Sequence, residues 1–222
     1  MKRLIAAIAI TLIVVFTMSA GGTAHAKNKI THYKVTITNI TRGQILSPPV
    51  VISHKSKFQL FTLGNPATPE LASLAEDADN DPLTDFLKTQ SSVFDFKVGE
   101  GPIMPGTSAT VEIKTNWGFR LISVAAMLVT TNDAFMAVQG AYARSWEATI
   151  VSAAAYDAGS EFNSEDCGFI PGPPCGNRFM RDPGDAEGYV YVHSGMHGSD
   201  DLDPAMWDWN NPVAKVVIQR VK

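Results

Sequence analysis

The chain is poor in charge of either sign and poor in cysteine. Of 222 residues, 18 are Lys or Arg and 22 are Asp or Glu, a charged fraction of 18% and a formal net charge of −4. No run of Lys or Arg occurs, so there is no electrostatic footprint for a nucleic acid. Hydrophobic residues make up 45%, which excludes a disordered chain. Two cysteines are too few for a disulfide-scaffold mini-protein or a thiolate zinc finger. Several catalytic signatures are missing as well. There is no His-Glu-x-x-His and no Gly-x-Ser-x-Gly. Gly99-Glu100-Gly101-Pro102 is followed by no helical pattern and is not a dinucleotide loop.

One long hydrophobic run is present, and it lies at the start. Met1-Lys2-Arg3 is basic, Leu4 to Met18 is almost unbroken apolar sequence, and Ala24-His25-Ala26 offers small residues for a signal peptidase. The run is short for a membrane span, which needs about 20 apolar residues. Residues 1–26 therefore read as a signal peptide, and 27–222 as one secreted or periplasmic domain. Losing Lys2 and Arg3 moves the formal charge from −4 to −6. In an oxidising compartment, Cys167 and Cys175 are expected to pair.

The remaining chain reads as mainly β. Tyr33, Val35 and Ile37 alternate with His32, Lys34 and Thr36, the pattern of a half-buried strand. Further strands are expected at 50–53, 58–61, 93–98, 109–114, 121–129, 148–154, 189–193 and 213–221. Gly/Pro-rich turns separate most of them, which favours an antiparallel sandwich or barrel. Residues 69–90 differ: Leu71, Leu74 and Ala75, then Leu83, Phe86 and Leu87, recur at helical spacing. Thr68 is the expected N-cap ahead of Pro69. Two helices are expected to cross one end of the sandwich, and Asn163 to Asp208 to form long loops around one strand.

Three acidic or histidine clusters are candidates for chemistry. Asp77-Ala78-Asp79-Asn80-Asp81 opens like an EF-hand loop, but Pro82 stands where Gly is needed and Lys88 where the bidentate Glu belongs. It reads as a solvated connection between the helices. His193 and His197, with Asp200, Asp201 and Asp203, could ligate zinc in a metal-assisted hydrolase. Gly195 and Gly198 interrupt that run, so no helix aligns the rings. Asp157-Ala158-Gly159-Ser160-Glu161 places two carboxylates around a Gly-bearing turn, a shape that suits a hard divalent cation.

That last motif, Asn132-Asp133-Ala134-Phe135 and the opening Tyr33-Val35-Ile37 together resemble the spondin domain, the N-terminal module of the F-spondin and mindin family of secreted adhesion proteins. The resemblance spans residues 30–162 and the closing segment 212–221. It implies a C2-like β-sandwich that binds one calcium ion. It also implies the ligands: Glu112 from a strand, Asp133 after the next strand, and Asp157 and Glu161 from the turn. Glu161 stands where the family has Asp. The implied function is a non-enzymatic calcium-binding recognition or adhesion module. Its partner would be a cell-surface or matrix protein or a glycan. Docking on a membrane surface is disfavoured by the acidic charge. N-terminal sequencing of exported protein should read Lys27-Asn28-Lys29; a retained Met1 would overturn the signal-peptide reading.

Overall fold

The computed structural model describes residues 29–182 and 184–221. Residues 1–26, read from the sequence as a signal peptide, lie outside them. The chain runs β1 (Thr31–Asn39), β2 (Val50–His54), α1 (Pro69–Asp77), α2 (Asp81–Thr89), β3 (Val93–Val98), β4 (Ser108–Thr115) and β5 (Leu121–Met127). It continues through β6 (Ala134–Tyr142), β7 (Thr149–Asp157), a 3-10 turn (Cys167–Phe169), β8 (Tyr191–Val192), α3 (Pro204–Trp207) and β9 (Ala214–Arg220). The fold is mainly β, as expected.

All strand pairs are antiparallel, in the order β3-β2-β5-β6-β7-β9-β1-β4, with β8 also on β7. β7 joins the two layers: Ala154 to Asp157 pair with β6, and Thr149 to Ala153 pair with β9. The free edges, β3 and β4, meet through side chains. Lys114 N–H donates to Asp95 Oδ2 at 2.8 Å, and Ser53 Oγ donates to Lys114 O at 2.7 Å. The sheet thus nearly closes into a flattened barrel, which leaves little open edge.

Alternation fills the inside. Tyr33, Val35, Ile37, Val111, Ile113, Val216 and Ile218 point inward and are buried. The Tyr33 hydroxyl donates to Ala143 O at 3.1 Å. A second core lies outside the barrel. Val50, Ile52, Ala125 and Ala137 on the outer face of β2, β5 and β6 pack against Leu71, Leu74, Leu83 and Leu87. The two helices therefore cover a face of the sheet, where the sequence suggested an end. The reason is that β2, β5 and β6 are apolar on both sides and need a second layer. Thr68 caps α1 by accepting from Leu71 N–H at 3.4 Å.

Two strand assignments change. β6 was not anticipated as a strand, because Ala134-Phe135-Met136-Ala137-Val138 is buried on both faces and shows no alternation. Residues 58–61 form no strand. Their backbone is held instead by one side chain, Gln139 Oε1, which accepts from Leu60 N–H and Phe61 N–H at 2.8 and 3.1 Å. Cys167 and Cys175 form the expected disulfide.

A buried relay ties β2 to β5 and β6. Gly140 N–H donates to Ser123 Oγ at 3.0 Å, which lies 2.7 Å from His54 Nε2, while His54 Nδ1 lies 2.8 Å from Lys55 O. Only a neutral ring, protonated at Nδ1, lets Ser123 donate to Nε2. Burial pushes the His54 pKa below its ordinary 6.5, outweighing the Lys55 carbonyl that raises it. Below that value the unfolded chain binds a proton that the folded one resists, so this contribution to stability falls as pH drops. From pH 7.5 to 5 the urea midpoint of the wild type should fall relative to that of His54→Asn, the other titrating groups being common to both. Parallel curves for the two proteins would refute the assignment.

Candidate functional site

Asp133 and Asp157 meet at one end of the barrel. Asp133 sits at the mouth of β6, and Asp157 ends β7, opposite Ala134 on one side and Tyr191 on the other. Both are fully buried. The turn that follows Asp157 wraps around Asp133. Asp133 Oδ2 accepts from Ser160 N–H at 2.7 Å, Ser160 Oγ at 3.1 Å and Glu161 N–H at 3.0 Å. Asp157 Oδ1 accepts from Gly159 N–H at 2.6 Å, and its Oδ2 accepts from Asn163 Nδ2 at 2.6 Å.

Gly159 makes the turn possible. Its φ is +64°, and a Cβ there would lie 2.3 Å from Tyr189 O and 2.6 Å from Tyr189 N. Both the left-handed backbone and the close approach require glycine. The tight turn read from the sequence is what the chain forms.

The electrostatics are lopsided. Burial, then the nearby charge of Asp157, pushes Asp133 well above the usual carboxylate range. Burial also raises Asp157, against hydrogen bonds from Asn163, Tyr191 and Gly159 that lower it. Glu161 is pushed up to about 8 by burial and by Glu76, with Arg181 opposing. Its side chain is buried, and neither carboxylate oxygen has a hydrogen-bond donor. Arg181 Nε stands 3.5 Å from Oε1, an ion pair only. Asp133 Oδ1 is likewise buried and unpartnered.

Glu112 does not join this group. It lies mid-strand on β4 with an exposed side chain and pairs with Lys34 Nζ at 3.6 Å, its cross-strand neighbour on β1. Val111 and Ile113 do point inward, but the opposite face is the outer wall of the barrel, away from the loop end. Glu112 is therefore set aside as a ligand on geometric grounds. Among the described residues, no three His, Cys, Asp or Glu side chains stand ready to hold a metal ion as they are.

Several neighbours were not visible in the sequence. Glu76 and Asp77 are buried, although the 77–81 segment read as solvated. Arg181 reaches back across the chain to them, with Nε 2.7 Å from Glu76 Oε2 and a bond to Asp77 Oδ2, while Phe179 N–H donates to Asp77 Oδ1 at 2.6 Å. No local signal links positions a hundred residues apart. Asn163 could have been found, because it follows the turn directly. Glu165 is a separate clamp: its buried carboxylate accepts from the N–H groups of His197, Gly198 and Ser199 at 2.6, 2.6 and 2.8 Å.

The two histidines take separate partners. His193 Nδ1 accepts from Gly195 N–H at 3.0 Å, and Nε2 faces Asp157 Oδ2 at 3.6 Å. Burial lowers its pKa to about 4, with His197 adding to the effect. The His197 ring is exposed beside Ser194 and Glu165. Asp201 accepts from Cys167 N–H, and Asp203 caps α3 through Ala205 N–H.

No protein-family model matches this chain, and no curated protein matches it. Gly159→Ala should destabilise the protein by at least about 2 kcal/mol in urea unfolding, from backbone strain plus the clash at Tyr189. A change below about 0.5 kcal/mol would mean the turn is looser than this geometry.

Proposed function

We propose that this chain is a secreted or periplasmic calcium-ordered recognition module of the spondin type. The observation that carries the reading is the set of buried carboxylate oxygens without donors, Asp133 Oδ1 and both oxygens of Glu161, beside the turn that begins at Asp157. Buried carboxylates without hydrogen bonds are costly, and a bound cation is one of the few ways to balance them. The donors are hard oxygens, the chemistry that calcium prefers. Asp133, Asp157 and Glu161 would hold the ion, which supplies positive charge to the 157–161 turn and cross-links it to the β5–β6 loop. The export signal at residues 1–26 and the resemblance to spondin domains support the cellular setting. Partner recognition by a surface or matrix component rests on that resemblance alone.

Metal-free protein should melt higher when calcium is added. Ligand at a hundred times its dissociation constant stabilises by about 2.7 kcal/mol. Asp157→Asn should abolish most of the shift. Glu161→Gln should abolish less, since an amide keeps one oxygen, and Glu112→Gln should leave it intact. Identical melting of wild-type protein in calcium and in chelator would overturn the calcium site. Loss of the shift in Glu112→Gln would restore that residue to it.

A further inference from the structure

The opposite end of the barrel has a different chemistry. The β4–β5 connection, the β6–β7 connection, the start of β1 and the end of β9 converge there. Two tryptophans stand out from it: Trp117 is 66% exposed and Trp146 is 78% exposed. Between and beside them run two clefts of about 300 and 230 Å³ that share Ser145 and Arg220 as walls. The first is lined by Trp146 and Gln219, the second by Trp117, Asn116, Arg120 and Lys29.

Three cations, Lys29, Arg120 and Arg220, face these clefts, and none of them pairs with an acid among the described residues. The one carboxylate on the walls, Glu147, is engaged by Arg144. Arg120 is held in place. One guanidinium nitrogen donates to Ala143 O at 3.0 Å and lies against Ser145 Oγ, and the group stacks 4.9 Å from the Tyr142 ring. A guanidinium fixed in this way presents its remaining N–H groups without further loss of side-chain freedom.

We propose that this pole binds an acidic polysaccharide whose sugars carry carboxylates. A pyranose ring has an apolar C–H face that can lie on an indole and an equatorial rim of hydroxyls. Trp117 and Trp146 offer the indoles, and Asn116, Ser145 and Gln219 offer amide and hydroxyl partners between them. Arg120 and Arg220 suit carboxylates, which accept a guanidinium's paired N–H groups. The charged and polar side chains on the walls, Arg120, Arg220, Asn116 and Gln219, separate this surface from a membrane-inserting tip, where apolar side chains would have to form the contact. The inference names a partner class for the recognition module above, but it stands on residues at the far end from Asp133 and Asp157. The two can fail separately.

The test is titration of the full exported chain with short oligogalacturonate, followed by tryptophan fluorescence and calorimetry, in calcium and again in chelator. Saturable binding is expected in both buffers, weakened by added salt. Trp146→Ala and Arg220→Gln should each weaken it about tenfold, in the range of contacts that anchor an interface. Both side chains are exposed, so folding should survive, and an unchanged melting temperature checks that. A neutral oligosaccharide of equal length should bind at least about tenfold more weakly. Absence of binding, equal binding of the neutral or a sulfated oligosaccharide, or wild-type affinity in both variants would overturn the proposal. So would binding that requires calcium, or binding to anionic phosphatidylglycerol vesicles in place of the sugar.

Discussion

The loop end of this barrel is organised by the need to neutralise buried carboxylates. Asp133, Asp157, Glu161 and Glu165 are all buried within 33 positions of one another in sequence. An ionised carboxylate removed from water must be repaid by donors or by charge. Each of the four solves the problem to a different degree. Glu165 is saturated by three backbone N–H groups. Asp157 has Gly159 and Asn163. Asp133 has donors on one oxygen only, and Glu161 has an ion pair at 3.5 Å and no hydrogen bond. The deficit thus collects on Asp133 and on Glu161 at the end of the turn that wraps around it, which is where a cation would act.

The same need explains the long C-terminal loops. Residues 163–199 supply Asn163 to Asp157 and Arg181 to Glu76 and Asp77, and their own 197–199 backbone to Glu165. Turn-type backbone bonds such as Cys175 N–H to Gly172 O and Asn177 N–H to Ile170 O hold the rest of the loops. The 77–81 connection is drawn in too: Asp77 loses water and gains Arg181 and the Phe179 N–H. A polar segment can be buried when another segment brings its partners, and composition alone does not reveal that.

How much was legible follows from how local each signal is. β1 and β4 alternate because one face meets the core and the other meets water, so the pattern exposes them directly. β6 is covered on both faces, by the barrel interior and by α1, and its alternation vanishes. The α1 cap and the Asp157–Glu161 turn were readable because cap, glycine and acids fall within a few residues. Glu112 was misplaced for the converse reason. Strand period gives the face a side chain occupies, but whether that face leads to the loop end depends on β4 lying at the sheet edge beside β1. Arg181 and Glu76 required the tertiary fold.

Barrel closure then fixes the distance between the two chemistries. Connections after β5 and β7 emerge at the acidic end, and those after β4 and β6 at the end with Trp117 and Trp146, because antiparallel neighbours alternate direction. The strands between them are hydrogen-bonded to their neighbours and packed on the barrel interior, with β2, β5 and β6 covered on the outer face as well. Such a body transmits little from one end to the other unless a strand shifts register, and a one-residue slip would turn every inward side chain outward. A cation that orders the acidic loops would therefore act on the surface near Asp157. The cationic, tryptophan-lined clefts depend instead on the short β4–β5 and β6–β7 connections, which Arg120 pins together through Ala143 and Ser145.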